Sequence, residues 1–174
     1  MIGAIVFIFL FCVRLAQGGF GIPLAAQSLL AAVLLVFRKP VRTIAPWWHS
    51  ALAWSSAFLP LGMAMPQALA WAGLPGLLLS LWAMLSLGTT FDVAPADRAL
   101  TQRGAYRYLR HPMYAGELLS CLGVCAVQPS TRNLVVTLAF AVSLLFRIHE
   151  EERIVTGYAD YAQIVRWRLV PGVW

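Results

Sequence analysis

Arg110-His111-Pro112-Met113-Tyr114-Ala115-Gly116-Glu117 joins an arginine-rich polar loop to an apolar stretch, so it places an imidazole and several charges at the edge of a hydrophobic layer. A charged side chain carried into hydrocarbon costs roughly 2.5 to 3.5 kcal/mol on insertion scales, so ionisable groups at such an edge need a function or a partner. Pro112 fits the first position of a helix, where its missing N–H is no loss, and His111 then becomes the N-cap. The positive end of that helix points out of the layer, with free N–H groups suited to a carboxylate or phosphate. Tyr114, Glu117 and Cys121 follow at helical spacing and share one face, while Gly116 allows close approach of a ligand or a neighbouring helix.

The layer is read from composition. Of the 174 residues 60% are hydrophobic and only 11% charged, and the mean hydropathy is +0.75, too little polar surface for a water-soluble globule. Apolar stretches run over 1–17, 22–37, 47–64, 68–88, 113–127 and 133–147, near the ~17 to 25 residues that a spanning helix needs. The expectation is an all-α integral membrane bundle of about six transmembrane helices, folded as one domain over 1–174. The first stretch lacks the basic flank and small-residue cleavage site of a signal peptide and is read as a helix of the mature chain.

Arg38, Lys39 and Arg42 follow the second stretch, Arg98, Arg103, Arg107 and Arg110 the fourth, and Arg147, Arg153, Arg166 and Arg168 the sixth. The positive-inside rule makes that shared face cytoplasmic, together with both termini. This distribution accounts for the net charge of +6 and excludes nucleic acid as its reason. Arginine outnumbers lysine twelve to one, the usage of a GC-rich bacterial genome, which points to a bacterial inner membrane. Cys12, Cys121 and Cys125 have no disulfide or zinc spacing and are expected as small core residues, with no metal site. Trp47 and Trp48 fit an interfacial aromatic belt, with His49 beside them.

All seven acidic residues lie at or after Asp92, which divides the chain into scaffold helices over 1–88 and a chemical part over 89–174. The loop 89–111 is too polar to cross the layer and too long for a tight turn, and Leu100, Tyr106, Tyr108 and Leu109 argue that it is ordered. Arg147-Ile148-His149-Glu150-Glu151-Glu152-Arg153 brings three carboxylates to a helix C-terminus, against the macrodipole. Arg147 and Glu151, four apart, read most simply as an intrahelical pair. Glu117 reads either as a counter-charge for a cationic ligand or as a partner for a loop arginine. An anion site and a carboxylate site on one face suit a zwitterionic cofactor carrying a carboxylate, an ammonium and a ribose. No glycine-rich phosphate loop is present.

Over residues 98–174 the sequence resembles the isoprenylcysteine carboxyl methyltransferase family, which groups with the phospholipid methyltransferases. The resemblance rests on Gly104-Ala105-Tyr106, Arg110-His111-Pro112-Met113-Tyr114-Ala115-Gly116, Arg147-Ile148-His149-Glu150-Glu151-Glu152, Tyr158-Ala159-Asp160-Tyr161 and Arg168-Leu169-Val170-Pro171. It implies a membrane core of five helices, with the cytoplasmic loop and a short C-terminal amphipathic segment enclosing S-adenosylmethionine. By the same resemblance Arg98, Ala99, Leu100, Thr101, Tyr106, His111, Pro112, Met113, Tyr114 and Glu151 line the cofactor, and Arg147 faces the acceptor group. The implied partners are the bilayer and a lipophilic or lipidated substrate, methylated on a carboxylate. Family members carry a longer segment between the glutamates and the paired tyrosines than Arg153-Ile154-Val155-Thr156-Gly157, so the lid over the cofactor is expected to be shorter or absent. Two other readings stand beside this one: an NADPH-dependent membrane reductase of the steroid-reductase type, its nucleotide phosphate held by the loop arginines, and a non-catalytic membrane scaffold.

Overall fold

The computed structural model describes residues 2–64 and 66–174; Met1, the first residue of the first apolar stretch, lies outside them. Its helices are α1 (Ile2–Gln17), α2 (Gly21–Val36), α3 (Trp47–Ala57), α4 (Leu74–Leu87), α5 (Pro112–Val127), α6 (Thr131–Ile154) and α7 (Tyr158–Ile164). Gly18 and Gly19 both take positive φ, 62° and 51°, and fold α1 back on α2 as a hairpin. A 3-10 segment, Gln67–Gly73, runs directly into α4, and Pro75 sits in the first turn of α4, where it starts the helix without kinking it.

Helices α4 and α5 touch backbone to backbone. A Cβ on Gly116 would lie 2.6 Å from the carbonyl oxygen of Gly76 and from the amide nitrogen of Ser80. Ser80 Oγ donates to the Met113 carbonyl at 3.2 Å and Ser120 Oγ to that of Gly73 at 2.8 Å, so small residues replace bulk with hydrogen bonds. Gly116 therefore admits a helix and not a ligand.

The third apolar stretch departs from one continuous helix. α3 is 11 residues long and gives way at Phe58 to a 3-10 turn, Leu59–Gly62, because Pro60 supplies no N–H to continue the ladder. The broken segment still runs antiparallel along α6. His49 Nδ1 meets Glu150 Oε2 at 2.8 Å near one end, and at the other Asn133 Nδ2 donates to the Ala64 carbonyl at 2.9 Å, about 25 Å of helix axis apart.

Two helical segments, Leu69–Thr90 and Thr131–Ile154, are long and apolar enough to cross a membrane, while α1, α2 and α5 are apolar but shorter. Large hydrophobic side chains such as Phe9, Leu29, Leu78, Leu122, Leu138 and Val142 point outward from five different helices. An apolar surface of that extent associates with a membrane.

Besides helices, a two-residue ladder pairs β1 (Thr43–Ile44) with β2 (Ala96–Asp97), Thr43 opposite Asp97. It ties the segments after α2 and α4 together, and Thr156 Oγ1 adds the end of α6 by donating to Asp97 Oδ2 at 2.7 Å. The loop 89–111 is ordered as expected: Tyr106 and Leu109 are buried, and Tyr161 Oη donates to both of their carbonyls, at 2.7 and 3.2 Å. Two sequence expectations are corrected. Cys12 is exposed on the outer face of α1, so it is not a core residue. His49 is buried and not interfacial, because Glu150 and Phe146 draw its ring inward while Trp47 stays exposed.

Candidate active site

At the end of the bundle where α4, α5, α6 and α7 meet, a cleft opens that encloses about 710 Å³ of space together with its mouth. Arg98, Ala99, Leu100, Thr101, Tyr106, His111, Met113, Tyr114 and Glu151 all line it. Pro112 does not reach the wall. It is fully buried as the first residue of α5, and its part is to start that helix at the cleft.

The Arg98–Thr101 wall is held by an unusual backbone. Ala99 has φ 102°, the one non-glycine residue with positive φ among the described residues. Asp97 pins it: Oδ1 accepts from the Ala99 amide at 3.2 Å, while Oδ2 accepts from Thr156. Burial pushes the Asp97 carboxyl up, but the Thr156 hydroxyl, the two amides and the charge of Arg42 outweigh it and hold the acid below its ordinary value. A non-glycine residue in this conformation persists only where its surroundings over-determine it, which is common at binding sites.

His111 takes the N-cap position of α5, with Pro112 first in the helix as the sequence predicts. The amides of Met113 and Tyr114 in that first turn have no carbonyl partner within their own helix. The ring of His111 is buried between two carboxylates: Nε2 lies 3.2 Å from Glu152 Oε1, and Nδ1 3.7 Å from Glu151 Oε2. Burial disfavours the imidazolium, but hydrogen bonds and charge from Glu151 and Glu152 win and raise its pKa.

The run Glu150-Glu151-Glu152 opposes the helix macrodipole, yet each carboxylate has its own partners. Glu150 meets His49 and Arg153. Glu151 accepts from the Tyr114 hydroxyl. Glu152 receives Arg168 Nε at 2.8 Å and Nη2 at 3.0 Å and the Tyr158 hydroxyl at 3.0 Å. The intrahelical Arg147–Glu151 pair is not formed, because Tyr114 and His111 take the carboxylate. Nor does Glu117 meet a loop arginine within ion-pair distance among the described residues, since those arginines are committed elsewhere: Arg98 to Asp92, Arg103 to the Ser86 carbonyl, Arg110 to the carbonyls of Val165 and Arg166.

Arg147 stands apart from the cleft. Only 2% exposed, it donates Nη2 to the Val93 carbonyl at 2.9 Å and lays its guanidinium 4.6 Å over the Tyr114 ring, on a second cavity deeper in the bundle. Met113 lines both cavities and forms part of the partition.

Sequence reasoning passed over Asp92, Val155, Tyr158 and Tyr161 as wall residues. The paired tyrosines were visible as a motif, but their reach was not. α7 begins immediately after Gly157, whose φ of 78° turns the chain, and this places Tyr158 and Tyr161 on the cleft. The short segment after Glu152 therefore adds two tyrosines to the wall of the cleft without a longer insertion.

No curated protein matches the chain. The phospholipid methyltransferase family matches residues 65–160, more than half of the chain, from just before α4 into α7 and across nearly the whole wall of the cleft. With a mostly helical, outwardly apolar body and a cleft at one end of it, the chain belongs to the phospholipid methyltransferase family, a family of membrane methyltransferases.

Proposed function

We propose that this chain transfers a methyl group from S-adenosylmethionine to a lipophilic acceptor carboxylate, as protein-S-isoprenylcysteine O-methyltransferases do. The observation that carries the reading is the convergence of nine of the ten donor-binding residues implied by the resemblance on one cleft. The cleft's chemistry fits the donor. The free amides of the first turn of α5 suit a carboxylate, Glu151 accepts hydrogen bonds from an ammonium or ribose hydroxyl, and Leu87, Leu100 and Val155 offer apolar surface for a base.

When bound, S-adenosylmethionine supplies an electrophilic sulfonium methyl. The protein's task is then to hold an acceptor oxygen in line with that methyl. Arg147 orients the acceptor carboxylate across the Met113–Tyr114 partition and need not remove a proton, because a carboxylate is already the nucleophile. Tyr158 and Tyr161 exclude water from above. Transfer of that methyl to the acceptor oxygen would leave the electron pair of the broken S–C bond on sulfur and would require no further reactant.

The six apolar segments, the third of them the broken α3 segment, cross a bacterial inner membrane. The arginine-rich end that holds the cleft faces the cytoplasm. Within the single domain, 1–88 is scaffold and 89–174 binds the donor. The NADPH reading is less favoured, since Arg98 is bonded to Asp92, and Arg103 and Arg110 to backbone carbonyls.

Titration of the protein in detergent with S-adenosylhomocysteine tests the proposal. Micromolar binding is expected, weakened at least about tenfold in Glu151→Gln. Stabilisation by NADPH in its place, or no binding to well-folded protein, overturns it.

A further inference from the structure

Two walls of the cleft come from distant parts of the chain: Arg98 to Thr101 from the loop after α4, and Val155 and Tyr158 from the turn that joins α6 to α7. Asp97 and Thr156 line no part of the cleft, yet these two residues tie its walls together. Thr156 Oγ1 donates to Asp97 Oδ2 at 2.7 Å, and the Thr156 amide donates to the same oxygen at 3.4 Å. Asp97 Oδ1 accepts from the Ala99 amide on the opposite wall. The carboxylate between them is fully buried, and its backbone is fixed by the pairing with Thr43 and by the Arg42 amide, which donates to the Asp97 carbonyl at 2.8 Å.

Both ends of this tether need holding. Ala99 sits at φ 102°, a region that an L residue leaves for negative φ unless its surroundings prevent it. Rotation there would swing the next two residues, Leu100 and Thr101, out of the wall. At the other end Thr156 and Gly157 are exposed and belong to neither α6 nor α7, and only five residues, Arg153 to Gly157, separate Glu152 from Tyr158. A turn with so few buried contacts does not hold its own position.

We infer that Asp97 and Thr156 are positioning residues for the donor: their hydrogen bond holds the Ala99 wall against the α6–α7 turn and so keeps the cleft in its binding geometry. The donor touches neither side chain. A wall already ordered binds more tightly than one that the ligand must order. Without the Thr156 hydroxyl, part of the population has Ala99 relaxed and Leu100 and Thr101 withdrawn, and the apparent affinity falls with the competent fraction. Thr156 is exposed, so exchanging its hydroxyl for a methyl leaves the packing of the bundle unchanged.

This inference rests on the proposed donor for what the cleft holds, but hydrogen exchange reads the tether without any ligand. Thr156→Val, Thr156→Ser, Ala99→Gly and the double variant Thr156→Val/Ala99→Gly are compared with wild type in maltoside micelles, by S-adenosylhomocysteine titration, by amide exchange over residues 98–103 and by melting. Thr156→Val is expected to bind about tenfold more weakly and to exchange this segment about tenfold faster at an unchanged melting temperature, while Thr156→Ser stays within about twofold of wild type in both. Glycine takes positive φ as readily as negative. The loss of affinity caused by Thr156→Val should therefore shrink to about twofold or less once residue 99 is glycine, a non-additivity that a merely structural role would not produce. Wild-type affinity and exchange in Thr156→Val, no recovery in Thr156→Ser, or the full loss persisting in the glycine background overturns the inference. The expected exchange pattern in a protein that binds no S-adenosylhomocysteine overturns the donor reading and leaves the tether standing.

Discussion

Glu152 and Glu117 stand on neighbouring helices of one bundle in opposite circumstances. At the polar end Glu152 gathers Arg168, Tyr158, His111 and, at 3.7 Å, Arg110, joining α5, α6, α7 and the segment after it. In the interior Glu117 faces two guanidiniums across a cavity and bonds to neither. A carboxylate whose lone pairs are all used by the fold is part of the fold. One that the fold leaves unused, where burial makes an unmet group costly, is available to a ligand. The polar end is therefore expected to fail as structure when cut, and the interior as recognition.

The largest expected effect breaks the polar end. Glu152→Ala leaves Arg168 and the buried His111 without their shared acceptor, and removing one partner of a buried network costs about 3 to 5 kcal/mol. Denaturant unfolding in micelles should show a loss of that size, together with loss of S-adenosylhomocysteine binding, because His111 and Tyr158 also line the cleft. A Glu152→Ala protein as stable as wild type would mean that the distinction between the two glutamates is empty.

That distinction was half legible beforehand. Pro112 announced the start of α5 because proline's missing N–H is tolerated there and hardly anywhere else in a helix, and the tyrosine pair was visible as a motif, though not as a helix. What stayed hidden was partnership across the chain. His49 sits next to Trp47 and Trp48 in sequence and reads with them, but its partner Glu150 is 101 residues away. The Asp97–Thr156 bond that fixes Ala99 and the cavity joining Arg14 to Glu117 likewise depend on which helices meet. Pro60 in the stretch 47–64 accounts for the break in α3, and only the packing against α6 shows that the segment still runs the length of its neighbour.

A middle-sized effect sharpens the comparison from the interior side. Gly116→Ala places a methyl 2.6 Å from the Gly76 carbonyl oxygen, where neither backbone can yield easily. The overpacking should destabilise by about 1 to 3 kcal/mol. Gly62→Ala is the control, since its Cβ would sit 3.5 Å from Val136 Cγ2, an ordinary contact. Equal melting of the two variants would mean that α4 and α5 are not held at backbone contact, and the partition built on Met113 would lose its support.

The smallest effect is a pH dependence confined to the polar end. His111 has a raised folded-state pKa because Glu151 and Glu152 favour its imidazolium more than burial disfavours it. The sign follows from linkage: the stabilisation is complete below the ordinary histidine value of about 6.5 and disappears as pH rises through the higher folded value. Tyr114 and Tyr158 also face the ring, and burial raises the Tyr158 pKa further above the ordinary tyrosine range, so it does not titrate in the same window. Melting temperatures in micelles should therefore fall from pH 6.5 upward in wild type and stay nearly level in His111→Gln. A parallel fall in both proteins would place the titrating group elsewhere and remove the charge of His111 from what holds Glu152 at the centre of this end.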